Sequence, residues 1–279
     1  MKWEGGRRST NIEDRRGLSA GTIGGGGIGM LLIVLAISCL TGTNPMELLQ
    51  VAEQVNPGQA QSVPTGAPSG DPRAEFVAVV LADTEETWGK IFQASGQTYK
   101  APVLVLFENG VQSACGSASS ASGPFYCPSD QKVYLDLSFF RELDSRFGAP
   151  GDFAQAYVVA HEIGHHVQHV LGLDRQAAQA RQQSSRADAN ALSVQLELQA
   201  DCFAGVWGHH AQSKQLLDEG DIDEGIAAAA AIGDDRLTKG RVSPDSFTHG
   251  TSAQRSRWLR QGLSSGSINS CDTFRANSL

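Results

Sequence analysis

His161, Glu162 and His165 form the pattern His-Glu-x-x-His in a segment whose other side chains are largely apolar. If the segment is helical, residues four positions apart lie one turn apart on the same face, with a rise of about 6 Å. Two imidazoles in that arrangement can bind one zinc ion. Glu162 lies about 100° further round the helix than His161, so its carboxylate can face a water molecule instead of the metal. The pattern therefore predicts a zinc site with a general base beside it.

Zinc bound by two histidines needs a third protein ligand. His169 is eight residues from His161, about 12 Å along a helix, and position 171, where a third histidine would be needed in one zinc-peptidase pattern, is Leu171. A better candidate is Glu197, which lies on the next long predicted helix four residues before Asp201. One of these carboxylates can bind zinc while the other accepts the N–H of a ligand histidine. The alternative is that both belong to a solvated helix face.

The elements around this site follow from apolar periodicity and from capping residues. Alternating or continuous apolar runs predict strands at Val103–Phe107 and Lys132–Leu137. Helical spacings predict helices over 73–95, 152–171, 186–207, 222–237 and 252–262. The order of elements therefore predicts an α+β domain that is predominantly helical and contains a small sheet.

The N-terminal third predicts a membrane anchor and a linker. Residues 1–22 are polar and more basic than acidic, and residues 23–42 include eighteen consecutive uncharged residues, about the minimum for a bilayer span. Residues 43–72 are rich in proline and glycine. The positive flank predicts a cytoplasmic tail at 1–22, and the domain at 73–279 is then exported, to the periplasm or beyond the cell. A cleaved signal peptide is the alternative, because the most apolar part is only residues 28–40.

Charge and composition exclude several function classes. The chain has 22 basic and 30 acidic residues, which gives a net charge of −8 and no field that would attract nucleic acid. The apolar content of 41% excludes wholesale disorder. A short basic stripe near the C-terminus, formed by Arg255, Arg257 and Arg260 with Trp258, is interpreted as a solvated helix face.

Four cysteines of the predicted domain allow two disulfides in an oxidising compartment. Cys115 and Cys127 are twelve residues apart and bracket a loop rich in serine and glycine, so we expect them to pair. Cys202 and Cys271 are then left to pair with each other, unless the thiols are reduced and Cys202 is a small core residue. The fifth cysteine, Cys39, falls in the predicted anchor.

Motifs along essentially the whole chain resemble one bacterial family. Residues 161–168 read HEIGHHVQ and residues 197–207 read ELQADCFAGVW. The other matching stretches are Cys115-Gly, GPFYCP at 123–128, VYLD at 133–136 with Phe139-Phe140, GDDR at 233–236, and FTHGTSAQR at 247–255 with Trp258. These segments resemble the neutral zinc metallopeptidases of membrane-anchored bacterial proteins, the YpfJ-like family.

The resemblance implies a zincin-like domain with one Zn²⁺ per chain and a peptide or protein substrate. His-Glu-x-x-His followed by Glu-x-x-x-Asp also resembles the gluzincin arrangement, which implies Glu197 as the third ligand and Asp201 as the partner of His161. In such a site Glu162 takes the proton from a zinc-activated water and passes it to the leaving amine. His249 and Tyr157 are candidate hydrogen-bond donors to the oxyanion.

The leading hypothesis is a membrane-anchored zinc endopeptidase whose substrate pairs with a strand edge at Val103–Phe107 or Val133–Leu137. A second hypothesis is a zinc-stabilised membrane-anchored scaffold that binds partners without turnover. A third is a zinc hydrolase that acts on a non-peptide amide. Glu162 favours an enzyme, because a scaffold has little need of a carboxylate that does not bind the metal. The sequence sets no oligomeric state.

Overall fold

The computed structural model describes residues 1–17, 65–66, 70–276 and 278–279. In this part of the chain, helices pack against one face of a four-stranded sheet and a two-stranded hairpin covers the other face. The prediction of a predominantly helical α+β fold with a small sheet is confirmed. The predicted anchor at 23–42 lies outside the described residues. None of the described helices combines the length and the apolar character that a bilayer crossing requires.

The helices carry most of the site and are numbered here along the described chain. They are α1 (Pro72–Ala94), α2 (Ser138–Ser145), α3 (Asp152–Leu171), α4 (Leu173–Gln182), α5 (Arg186–Ser213), α6 (Asp221–Ala231), α7 (Asp234–Leu237) and α8 (Ser252–Ser265).

The main sheet has the strand order β1-β2-β6-β5, and β3 pairs with β4 in the separate hairpin. The strands are β1 (Ile12–Asp14), β2 (Val103–Phe107), β3 (Gly110–Ser113), β4 (Gly116–Ser119), β5 (Phe125–Cys127) and β6 (Lys132–Asp136). The two predicted strands are thus present as β2 and β6. Both are interior strands, so the expectation that one of them offers a free edge is wrong. The edge next to the helices of the site is β5, which runs antiparallel to β6.

The N-terminal residues form part of the domain. Ile12 is 1% exposed and pairs in parallel with Leu104 of β2. Residues 1–17 therefore belong to the same folded unit as residues 70–276, and the predicted separation of a tail at 1–22 from the domain does not describe the structure. The sequence does not predict this strand, because three residues with one buried apolar side chain are too few to show a periodicity.

Helix boundaries agree with the expectation where a terminating residue marks them. The helix α3 ends at Leu171, and Gly172 follows in the left-handed conformation with φ 77°. The predicted helix over 222–237 is instead two helices, α6 and α7, with a break before Gly233. A Cβ atom at Gly233 would lie 2.3 Å from the backbone nitrogen of Ser252, the first residue of α8. Glycine at this position therefore lets the break between α6 and α7 pack closely against the start of α8.

Two close helix crossings determine the geometry of the site. Where α3 crosses α5, a Cβ atom on Gly164 would lie 2.9 Å from the carbonyl oxygen of Ala200. Where α8 crosses α5, a Cβ atom on Gly262 would lie 2.0 Å from the carbonyl oxygen of Cys202. Glycine at both positions lets the helix backbones approach more closely than side chains would allow.

Both predicted disulfides are present. The bond between Cys115 and Cys127 joins the β3–β4 hairpin to β5, with a Cα–Cα distance of 5.8 Å. The bond between Cys202 and Cys271 joins α5 to the C-terminal segment, with a Cα–Cα distance of 5.6 Å. The first bond therefore holds the edge strand, and the second holds the chain that follows α8.

Candidate metal centre

Three side chains from two helices converge at the crossing of α3 and α5. Nε2 of His161 is 3.3 Å from Oε2 of Glu197, and Nε2 of His165 is 3.5 Å from Oε1 of the same carboxylate. One ligand atom from each of the three residues lies within 4.8 Å of the other two. The structure thus brings together the three residues that the sequence analysis proposed as a ligand set.

The other ring nitrogens of the two histidines are hydrogen-bonded. Nδ1 of His161 donates to Oδ1 of Asp201 at 2.9 Å, and Nδ1 of His165 donates to Oε1 of Gln168 at 2.9 Å. Carboxylate and amide oxygens accept here, so Nδ1 carries the hydrogen in both rings. Each Nε2 therefore faces the Glu197 carboxylate and is the ring nitrogen available to a metal.

Gln168 is a residue that the sequence analysis missed. Its amide nitrogen donates to the carbonyl oxygen of Leu196 at 2.7 Å and to Oε1 of Gln199 at 3.1 Å. These bonds orient the amide so that its oxygen faces His165. Its position three residues after His165, on the same side of the helix, is the signal that could have identified it.

Asp201 is fully buried, and its carboxylate accepts hydrogen bonds from three side chains. Besides His161, its carboxylate accepts the Tyr157 hydroxyl at 2.6 Å and the guanidinium of Arg255 at 2.8 Å from Nε and 2.9 Å from Nη2. Burial alone would raise the pKa of Asp201, but Arg255 and His161 hold it below its ordinary value. Asp201 is therefore a carboxylate that accepts from His161, as expected.

This network bears on two expectations. Arg255 is 2% exposed and Trp258 is buried, so the stripe on α8 is not a solvated face at these two positions. The sequence could not reveal this, because the partner of Arg255 is 54 residues away. Tyr157 is also buried, and its hydroxyl donates to Asp201 while accepting from Arg255. Its hydroxyl hydrogen is thus donated to a carboxylate, although the side chain also lines the cleft, so the role of oxyanion donor stays a prediction for Tyr157.

Glu162 lies beside the three converging side chains with a different electrostatic character from Glu197. Burial raises the pKa of Glu162 above its ordinary value, although His161 and His165 oppose the shift. Burial would also raise the pKa of Glu197, but His165 and His161 hold it well below its usual range. The two carboxyl groups are therefore suited to different roles, one as a proton acceptor and one as a permanent anion.

A cleft of about 810 Å³ opens above these residues. The face of α3 that lines it carries Val158 on one side of the histidines and Gln168 on the other. The walls come from the β5 segment, from the α2 region and from the loop before α8. Their residues include Gly123, Pro124, Phe125, Tyr126, Phe139, Phe147, Leu237 and His249.

His249 lines the cleft from the loop before α8 and is held by Asp234. Its Nδ1 is 3.2 Å from Oδ1 of Asp234, whose Oδ2 accepts the backbone N–H groups of Thr248, His249 and Gly250 at 2.8, 2.7 and 3.1 Å. The hydrogen bond from Asp234 raises the pKa of His249 above its ordinary value. Asp234 lies 15 residues before His249, and no motif in the sequence marks it as this partner.

The residue after His165 has a separate environment behind the cleft. His166 is 1% exposed; its Nε2 donates to the carbonyl oxygen of Lys100 at 2.7 Å, and its Nδ1 is 3.1 Å from the hydroxyl of Tyr126 on β5. Burial lowers the pKa of His166 to about 4, so the ring is neutral near pH 7. His166 points away from the ligand set, as its position on the helix predicts.

The arrangement fits a zinc ion in its chemistry and its distances. Ligands held about 2.0–2.1 Å from a tetrahedral zinc are about 3.3 Å apart, close to the two nitrogen–oxygen distances measured here. Two imidazoles whose Nε2 atoms face the site and one carboxylate are also the ligand types that zinc prefers. Three protein ligands leave a fourth position for water or substrate, as in catalytic zinc sites.

Comparison with known proteins agrees with this chemistry. A family model described as "Putative neutral zinc metallopeptidase" matches residues 1–274. The chain belongs to this family. Among its relatives, the uncharacterised protein YpfJ of Escherichia coli (strain K12) is 47% identical, over 98% of this chain and 99% of the relative. An uncharacterised protein of Mycobacterium tuberculosis (strain ATCC 25618 / H37Rv) is 39% identical, over 85% of this chain and 83% of the relative.

No solved structure matches the chain. Membership of this family supports a zinc metallopeptidase, which is a hydrolase. It also implies Zn²⁺ as the metal and a peptide or protein as the substrate. The match extends over the N-terminal strand as well as the helices of the site.

Proposed function

We propose that this chain is a zinc-dependent endopeptidase in which His161, His165 and Glu197 bind the metal and Glu162 is the general base. The observation that carries the proposal is the convergence of the three ligand atoms within 4.8 Å, at the base of a cleft and beside a buried carboxyl group. The ligand set lies partway along the cleft, between Val158 and Gln168, which suits a polypeptide that passes through the site.

Zinc held by these residues would supply a Lewis acid that polarises the scissile carbonyl and lowers the pKa of water. Glu162 accepts the proton of the attacking water and delivers it to the leaving amine. Its raised pKa suits both steps, because the carboxyl group must hold the proton between them. Asp201 and Gln168 keep the two histidines in the tautomer and orientation that the site requires.

His249 is the proposed donor to the oxyanion. Asp234 accepts at Nδ1, so the Nε2–H of the imidazolium is available to the cleft. Asp234 also favours the protonated ring, since its hydrogen bond raises the pKa of His249. Such a donor strengthens its interaction as negative charge develops on the carbonyl oxygen, which is how it lowers the barrier.

The substrate is proposed to pair with β5. This strand is an edge of the sheet, and the segment from Gly123 to Tyr126 lines the cleft. An extended peptide can add to such an edge through backbone hydrogen bonds. β5 thus replaces the two strands expected from the sequence as the substrate-binding edge.

We further propose that the folded unit works outside the cytoplasm. The two disulfides support this location, because stable disulfides are rare in cytosolic proteins. The anchor at 23–42 stays a prediction. Because β1 is paired with β2, a single crossing between residues 23 and 42 would separate two hydrogen-bonded strands. Residues 1–17 are therefore proposed to lie on the same side of the membrane as the domain.

The deciding experiment incubates the purified full chain, loaded with Zn²⁺, with a diverse peptide library and identifies products by mass spectrometry. Glu162→Gln should lose turnover by about 10²- to 10⁴-fold and keep its zinc. Glu197→Gln should lose zinc as well as activity. Turnover that survives in Glu162→Gln would remove Glu162 as the base, and full zinc occupancy in Glu197→Gln would remove Glu197 as a ligand.

The scaffold alternative gives a different result. A zinc-stabilised binding protein would hold zinc in the wild type and in Glu162→Gln and cleave no peptide in either form. A hydrolase of non-peptide amides would leave the library intact but would release amine from small amide substrates, and only when Glu162 is present.

A further inference from the structure

The edge strand β5 is attached to the helix of the site by one polar contact from its middle residue. Side chains of β5 alternate, so Phe125 stacks on Tyr134 on the hairpin side of the sheet, whereas Tyr126 faces α3. There the Tyr126 ring lies 5.4 Å from the ring of His166 and its hydroxyl is 3.1 Å from Nδ1. Tyr126 therefore spans from the proposed substrate-binding strand to the residue that follows the ligand His165.

The direction of this hydrogen bond follows from the other side of the imidazole. The Lys100 carbonyl can only accept, so the hydrogen of the neutral ring is on Nε2. Nδ1 then has a lone pair and accepts the hydroxyl hydrogen of Tyr126. Lys100 lies shortly before β2. The His166 imidazole on α3 therefore makes one hydrogen bond to β5 and one to the chain that leads into β2.

Within the part of the chain that the structure describes, Tyr126 lines the cleft, whereas His166 is buried and does not line it. A second aromatic side chain, Tyr99, packs edge-on against the His166 ring at 5.6 Å and fixes its plane. His166 is thus a buried residue with both ring nitrogens engaged, and its hydrogen bond with Tyr126 connects it to the cleft wall.

We propose that His166 is a positioning residue that holds β5, through the Tyr126 hydroxyl, at the distance from α3 at which a substrate strand can pair with it. The inference rests on the proposed function, since it assigns the two residues to substrate binding by that same site. The histidine pair at 165 and 166 then has two separate tasks, with one imidazole facing the metal site and its neighbour facing the substrate-binding strand.

The test compares Tyr126→Phe, His166→Gln and the double variant with the matched control Tyr134→Phe. The control removes a hydroxyl that donates to Asp130 from the neighbouring strand β6, on the face of the sheet away from α3. His166→Gln can keep a donor toward the Lys100 carbonyl, but glutamine has no acceptor atom at the position of Nδ1, where the Tyr126 hydroxyl binds. Each full-length zinc-loaded protein is assayed for kcat, KM and zinc content on a peptide cleaved by the wild type.

We expect KM to rise roughly 2- to 10-fold in Tyr126→Phe and His166→Gln, the range for one neutral hydrogen bond, with kcat and zinc content within about twofold of the wild type. The double variant should lose no more than the worse single variant, because both changes remove the same bond. Hydrogen exchange at the backbone amides of residues 125–127 should be faster in both single variants and unchanged in Tyr134→Phe.

Unchanged KM together with unchanged amide exchange at residues 125–127 in Tyr126→Phe would overturn the proposal. So would losses in the double variant that equal the product of the single losses, because the two residues would then act independently. If the wild type cleaves no peptide, the proposed function fails, and with it the assignment to substrate binding; the exchange measurement then still decides whether the His166–Tyr126 contact holds β5.

Discussion

Arg255 donates from Nε and Nη2 to the two carboxylate oxygens of Asp201, at 2.8 and 2.9 Å, where both side chains are buried. Asp201 in turn accepts from Nδ1 of His161. The guanidinium thus compensates the buried charge of Asp201 and fixes the plane of the carboxylate that orients a metal ligand. Because Arg255 lies on α8, this helix is connected to the metal site through a chain of three side chains.

We therefore expect Arg255→Lys to weaken zinc binding by about 10- to 100-fold, the range for residues that orient metal ligands. Lysine keeps the charge but cannot present two parallel N–H groups to Asp201. A competition titration with a chromogenic chelator measures the change. Arg257→Lys, two residues further along α8 where the guanidinium reaches Ser278 at the surface, should leave zinc affinity unchanged. Equal affinity in Arg255→Lys and wild type would contradict this role.

The close crossing of α3 and α5 gives a second prediction. An added methyl group at Gly164 would meet the Ala200 backbone at 2.9–3.1 Å, three residues after Glu197, so the helices must separate. Gly164→Ala should therefore cost about 1–3 kcal/mol in the free energy of unfolding and should also reduce zinc affinity. Chemical denaturation and zinc titration measure the two effects.

Gly89→Ala is the matched control for Gly164→Ala. Gly89 also lies inside a helix, α1, but a methyl group there meets nothing within 4 Å. Alanine should stabilise the protein at that position by up to about 1 kcal/mol, because it is the better helix former. A stabilisation of similar size in Gly164→Ala would show that the crossing tolerates a side chain.

The sequence predicted those parts of the fold and site that depend on local spacing. The turn-to-turn spacing of His161 and His165, and of Glu197 and Asp201, is fixed by the helix period alone. The strand at Val103–Phe107 and the helix stop at Gly172 likewise follow from residues that adjoin each other in the chain.

Contacts between distant segments could not be predicted in this way. The sequence predicts a surface position for Arg255, because its carboxylate partner Asp201 lies on another helix and leaves no local pattern. Asp234 was not identified because three of its four partners are backbone N–H groups, which leave no side-chain pattern. The strand β5 shows no sequence signal because its run, Phe125–Cys127, is only three residues long and its side chains contact Tyr134 on β6 and His166 on α3, which are distant in the chain.

The docked N-terminal strand makes a prediction about topology. If β1 pairs with β2 in the cell, epitope tags placed before residue 17 and after residue 279 should be accessible from the same side of the membrane. Antibody labelling of intact cells or of spheroplasts, compared with permeabilised cells, measures this. Labelling of the C-terminal tag alone before permeabilisation would indicate one crossing between the tags, and β1 would then be separated from the sheet.

The pair of His249 and Asp234 predicts how activity depends on pH. Donation to the oxyanion requires protonated His249, and the hydrogen bond to Asp234 raises its pKa above the ordinary value of about 6.5. Activity that depends on this proton is present below the raised pKa and declines as pH rises through it. His249→Leu, which removes the donor, should lower kcat by about 10²- to 10³-fold with little change in KM and should remove that alkaline decline from the pH profile. His210→Gln provides the control, because His210 donates from Nε2 to the Gly266 carbonyl at the far end of α5 and glutamine can keep that donor. A pH profile of His249→Leu that still falls at the same alkaline pH would assign the decline to another group.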